Sequence, residues 1–268
     1  MAWTRALGFL GILAMLPWLR RGDPQPSRPL RSVIAPGVLL GALICGGYVL
    51  QTEGLARTTA TNAGFITGLY VVFTPLIASV LFRQRVQGAA WPALIISLGG
   101  LALLSIQRLE DLRLHTGDML VLAGAVVWAG HVTGVAHFSP RFPTWMLSIA
   151  QMGATAVFQL VLAAGTGLRP HQAAAFSVWP LLVLTGVVGS GVAYTVQIMG
   201  QRSLTATRAV VILAGEAIFA AAFSAAWIQE RLAVHQWMGA ILVLGAMAYS
   251  EVGARRPSAA HLEPASAE

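Results

Sequence analysis

Nine long apolar runs, joined by short polar stretches, constrain this chain more than any other feature. They span approximately 2–19, 33–52, 59–82, 90–106, 118–138, 143–165, 175–200, 205–228 and 234–253. Most reach the ~20 residues that cross the hydrocarbon core of a bilayer. Inside hydrocarbon a backbone must satisfy its own N–H and C=O groups, so a spanning segment is a helix or a strand of a closed barrel. The period-two alternation of barrel strands is absent, so each run reads as a helix. Composition agrees: 56% of the 268 residues are hydrophobic and 10% are charged, against about 25% charged in soluble domains. The predicted class is an all-α integral membrane protein with about 9 transmembrane helices.

The few charges set orientation. All 17 basic residues are Arg, and the net charge is +7. The absence of Lys points to a GC-rich coding bias and hence to a bacterium. The arginines are dispersed among the joints rather than gathered on one segment, which argues against a nucleic-acid partner. Counted on alternate sides of the helices, eleven fall on one side and six on the other. The richer side, which includes the C-terminus, is expected in the cytoplasm. Nine crossings then put Met1 outside. The first run, Ala6–Leu19, has the length of a signal peptide, but it ends in Pro17-Trp18-Leu19-Arg20-Arg21 with no small-residue cleavage site, so it reads as a retained helix. Cys45 is alone, which excludes an intrachain disulfide. From Ala254 the chain turns to Pro, Ser, Ala and Glu, the composition of a disordered tail.

An internal repeat orders the helices. A shift of 146 residues aligns 48–104 with 194–250 without a gap, and 15 of the 57 pairs are identical. Apolar bias alone does not supply Tyr48/Tyr194, Gln51/Gln197, Gly54/Gly200, Arg85/Arg231 or Trp91/Trp237, nor the run Thr59-Ala60-Thr61 against Thr205-Ala206-Thr207. The shift moves each helix five crossings along. Five is odd, so the copies are expected to be inverted, as in secondary transporters whose substrate sits near the midplane between repeats. The expected division is a first repeat over 1–106 with about four helices, a joint at 107–117, a second repeat over 118–253 with five, and a tail at 254–268. By this arithmetic the first repeat lacks its opening helix.

The residues that carry the repeat also carry a resemblance. Gly47-Tyr48-Val49-Leu50-Gln51-Thr52-Glu53-Gly54-Leu55, followed by Thr58-Thr59-Ala60-Thr61-Asn62-Ala63-Gly64-Phe65-Ile66-Thr67-Gly68-Leu69-Tyr70, resembles the EamA-type permeases of the drug/metabolite transporter (DMT) superfamily. Thr74-Pro75, Gly99-Gly100, Gly117-Asp118, Glu216 and Glu230 fall where that pattern has similar residues, although Ala217 stands where many members have Pro. The resemblance runs from about Arg5 to Ser250. It implies an inverted-repeat helical bundle, usually of ten helices. It also implies transport of a small metabolite such as an amino acid or drug-like compound across the bacterial inner membrane, in the efflux direction and by alternating access. Partners so implied are a small-molecule substrate and the lipid bilayer, with protons and a homodimeric second copy as candidates. No cofactor is expected. The alternative function is a non-transporting membrane subunit or an N-terminally truncated remnant.

Several residues stand out as substrate or coupling candidates. Glu216 lies near the middle of an apolar run, where an ionisable residue costs about 2.5–3.5 kcal/mol to insert. It reads as a proton-coupling group or a partner for a substrate amine, with an interhelical hydrogen bond as the structural alternative. Tyr70 is its mate in the first repeat. Trp128 and His131 are three apart and share a helix face; His titrates near neutral pH, and Trp can stack on a flat or cationic substrate. Both also fit plain packing. Tyr48 with Gln51, and Tyr194 with Gln197, repeat an i, i+3 pair that inversion would turn toward one axis. Gln151 and Thr67 are weaker candidates of the same kind. Pro75 is read as a kink, and Arg85, Arg231 and Glu230 as topological or gating contacts. An enzyme is not expected. Ser190 between glycines has no recognisable base, Asp118 reads as a helix-capping carboxylate, and no metal-ligand cluster is visible.

Overall fold

The computed structural model describes residues 2–22, 29–84, 88, 90–105, 115–165, 172–223, 225–226 and 232–255. Arg85, Glu230 and Arg231, residues 107–114 of the joint and 256–268 of the tail lie outside the described residues.

Helices follow the apolar runs. In the first half they are α1 (Ala2–Gly22), α2 (Ile34–Leu55), α3 (Ala60–Gly68), α4 (Tyr70–Phe82) and α5 (Ala90–Ser105). In the second half they are α6 (Asp118–Phe138), α7 (Thr144–Gly165), α8 (Gln172–Val183), a π-helical segment (Leu184–Val192), α9 (Ala193–Gln201), α10 (Ala206–Leu213), α11 (Glu216–Phe223) and α12 (Val234–Arg255). Among the described residues, six stretches are long and apolar enough to cross a membrane: Leu30–Leu55, Asn62–Phe82, Asp118–Arg141, Thr144–Gly165, Val178–Gln201 and Ala206–Phe223. The apolar helix Ala90–Ser105 is shorter.

Two runs expected as single helices are broken. The run 59–82 divides at Leu69, where Val72 N donates to the Leu69 carbonyl at 2.9 Å, a tight three-residue turn. Pro75 lies inside α4, beyond this break, and its missing N–H bears on the Val71 carbonyl. Thr74 takes up the neighbouring Tyr70 carbonyl through its Oγ1 at 2.7 Å. The run 205–228 divides at Ala214–Gly215, where Ile218 N donates to the Gly215 carbonyl at 3.0 Å. The helices that enter these breaks start alike. Thr59 and Thr205 each sit in an extended N-cap, and their hydroxyls accept from Asn62 N at 3.1 Å and Arg208 N at 3.3 Å. Such caps satisfy amides that a helix start leaves without partners.

Packing brings the two halves together. α6 lies against α2, α3 and α4; α7 lies against α1 and α2; α1 crosses the π segment; α5 lies along α12. Small residues permit the close approaches. A Cβ on Gly100 would sit 2.7 Å from the Gly239 carbonyl, and a Cβ on Gly8 would sit 2.8 Å from that of Gly186. One buried cluster joins Val71, Leu94, Leu101, Val210 and Val243 across α4, α5, α10 and α12. A second joins Leu40, Val135, Met146, Leu147 and Ile198 across α2, α6, α7 and α9. Outward faces carry Leu76, Val80, Ile95, Val161, Leu184 and Ile241, all exposed. An apolar exterior around a tighter, more polar interior suits a hydrocarbon surround.

Candidate functional site

The helix breaks position the centre of the molecule. Tyr70 and Glu216 are the first residues of α4 and α11, so both stand where a helix restarts. A cavity of about 260 Å³ opens between them. Tyr48 and Gln51 of α2, Thr67 of α3 and Tyr70 of α4 line it from the first half. Trp128, His131 and Val132 of α6, Tyr194 and Gln197 of α9, Leu213 and Glu216 complete it from the second. Nine of the ten substrate and coupling candidates thus line one cavity. The tenth, Gln151 of α7, is fully buried behind it, with its Oε1 at 3.4 Å from His131 Nε2 and its Nε2 without a partner among the described residues. Among the described residues no three His, Cys, Asp or Glu side chains gather as a metal site would need.

Aromatic rings meet edge to face on one side of the cavity. Tyr48 and Trp128 have centroids 5.0 Å apart at 90°, Trp128 and His131 6.2 Å at 87°, and His131 and Tyr194 5.6 Å at 89°. Edge-to-face pairs align a ring's positive edge with its neighbour's negative face, which holds the rings in place. Gly47 makes room for this arrangement, since a Cβ there would fall 2.8 Å from Trp128 Cε2. The hydroxyls of Tyr48 and Tyr194 bond each other at 3.0 Å, linking residues 146 apart in the sequence. Gln51 Nε2 donates to Thr67 Oγ1 at 3.4 Å.

One charge lines this cavity and a second packs behind it. Glu216 keeps an exposed side chain at the cavity, and no cation pairs with it among the described residues. The other charge is Arg5 of α1, which is 7% exposed. Its guanidinium carbon lies 3.6 Å from the centroid of the Tyr48 ring, and its Nη1 donates to Ser190 Oγ in the π segment. Ser190 in turn donates to the Thr185 carbonyl at 3.1 Å, a five-residue step that follows the π-helical winding. Ser190 is therefore occupied as a partner of Arg5. Asp118 is likewise committed. Its carboxylate accepts from Thr58, from Asn62 Nδ2 at 3.1 Å and from His115 N at 2.8 Å, so it ties the start of α6 to the α2–α3 turn and does not cap its own helix.

The family model of EamA-like transporters matches residues 1–106 and 115–250. The chain belongs to the EamA-like transporter family. Two relatives in this family's range carry names of the same kind. An uncharacterized transporter of Archaeoglobus fulgidus is 29% identical over 236 residues, 88% of this chain and 71% of that protein. An uncharacterized transporter of Synechocystis sp. is 24% identical over 254 residues, 87% of this chain and 76% of that protein. One solved structure superposes with a TM-score of 0.76 at 19% identity, covering 95% of this chain and 87% of its own. The fold is thus the EamA fold, and the chain is a multi-pass membrane protein of a transporter family.

Within this EamA fold, the sequence pattern missed Arg5, which packs on the lining ring of Tyr48, having counted it only toward topology. A signal for it was present. Arg5 is the mate of Gln151 at the 146-residue shift, and it stands in a helix that carries no acid to neutralise it.

Proposed function

We propose that this EamA-family chain is a secondary transporter that moves a small polar metabolite outward across a bacterial inner membrane by alternating access. The observation that carries the reading is the convergence of Tyr48, Tyr70, Trp128, His131, Tyr194 and Glu216, drawn from both halves, on one cavity of about 260 Å³. That volume suits a metabolite rather than a macromolecule. Two halves offset by 146 residues, five helices along, are read as inverted copies. A site lined by interrupted helices between inverted halves can be closed toward one side and then the other by rocking. Glu216 is the coupling candidate, because an intramembrane acid facing a cavity can carry a proton or hold a substrate amine. The Tyr48–Tyr194 hydroxyl bond at 3.0 Å is read as a contact that parts when the halves move.

The test is flux of a metabolite panel in inverted vesicles from cells expressing the chain. Concentrative movement of at least one compound into the vesicles is expected, with Glu216→Gln slowing it by about tenfold or more. A variant that transports normally at every pH would remove Glu216 from coupling, and no flux for any compound would overturn the transport reading.

A further inference from the structure

Arg5 is a cation in the apolar interior without a counter-charge among the described residues. Its side chain is 7% exposed. Nη1 is bonded to Ser190, Nε is buried with no acceptor, and Ser190 is the only acceptor the described residues offer it. A hydroxyl and an aromatic face do not neutralise a guanidinium. Buried charges are as a rule paired, since desolvation is costly. The edge formed by Nε and Nη2 is the planar fork that receives both oxygens of a carboxylate.

Its surroundings repeat the preference. Tyr48 and Tyr194 share one hydrogen bond between their hydroxyls, so one of the two phenolic protons is left to donate. Ser190 already spends its proton on the Thr185 carbonyl. The local groups are donors seeking an acceptor. Glu216, the acid of the same cavity, stands on α11, which packs mainly on α5 and α12 rather than on α1 or the π segment. Glu216 and Arg5 therefore stand on different elements, and no ion pair joins them among the described residues.

We propose that Arg5, with the free phenolic proton of the Tyr48–Tyr194 pair, is the binding site for a carboxylate group on the transported metabolite. This rests on the transport reading and names the chemical class of its substrate. The Tyr48 ring covers the guanidinium, so the carboxylate engages the Nε–Nη2 edge as the two hydroxyls part. The substrate's acid then replaces a protein–protein contact between the halves, and substrate binding and separation of that contact become one event.

The test is calorimetric binding to the detergent-purified chain of two probes that differ in one group, 3-phenylpropionate and 3-phenylpropionamide. Wild type is expected to prefer the acid by about tenfold, and Arg5→Gln is expected to bring that ratio to within about twofold of unity. Should Arg5→Gln fail to fold, Arg5→Lys keeps the charge but loses the fork, and a preference reduced to about threefold supports the site. Equal binding of the two probes by wild type, binding of neither, or a preference that survives Arg5→Gln or is unchanged in Arg5→Lys overturns it. Binding is read without flux, so a carboxylate site that fails leaves the vesicle result standing, and the reverse also holds.

Discussion

At the scale of single residues, buried polar groups separate those that hold the fold from those that face the cavity. Asp118 is of the first kind. It is 6% exposed and gathers Thr58, Asn62 and the His115 amide. Asp118→Ala is expected to lower stability by about 3 kcal/mol, because buried donors are left without their charged acceptor. Asp118→Asn should lose less, since one oxygen remains. Thermal unfolding in detergent measures both. Sequence reasoning found the cavity residues that recur at the repeat spacing or sit as odd polar groups in apolar runs. Arg5 escaped because an arginine near the end of an apolar run is the ordinary mark of topology. Only its three-dimensional neighbours, Tyr48 and Ser190, show that it points inward.

At the scale of elements, the positions of the helices were legible and their interruptions were not. Length and hydropathy report that a segment lies in hydrocarbon, and they are blind to which amide bonds which carbonyl. The break at Leu69 is an example. Pro75 announced a kink, but the turn that gives way is at Leu69, before α4 begins. Pro75 interrupts the ladder again within α4, at the Val71 carbonyl, and Pro75→Ala returns a donor there. The expected result is slower flux with thermal stability held within about 1 kcal/mol of wild type or raised. Parallel vesicle and unfolding measurements check it, and unchanged flux would show that the interruption is incidental. Nor did hydropathy show where α1 crosses the π-helical segment, at Gly186 and Gly191, where a Cβ would sit 2.7 Å from the Thr4 carbonyl and 2.8 Å from that of Gly8.

At the scale of the whole molecule, the two halves are related but not equally filled. Gly54 is buried, and a Cβ there would meet Val121 Cγ2 of α6 at 2.6 Å. Its mate at the 146-residue shift, Gly200, is exposed with nothing within 4 Å of such a Cβ. Gly200 lines an apolar groove of about 450 Å³ with Val192, Val196, Leu204 and Ile212. Beside it Gln201 is buried with both amide atoms lacking partners among the described residues. Gly54→Ala is therefore expected to cost about 2 kcal/mol through overpacking. Gly200→Ala should gain up to about 1 kcal/mol from helix propensity. Thermal unfolding of the two variants, side by side, reads the difference; equal costs would mean that the groove is packed in the membrane.

The π-helical segment fixes the rotational phase of everything after it. Each residue of an α-helix advances the chain by about 100°, and the i→i+5 winding of Leu184–Val192 turns less per residue. α9 is the direct continuation of that segment, so its face toward the cavity is set by how many residues are wound wide. Rewinding one of them into α geometry would swing Tyr194 around the helix axis, away from Tyr48, without moving the helix sideways at all. Ser190, donating to the Thr185 carbonyl and accepting from Arg5, ties that wide winding to α1.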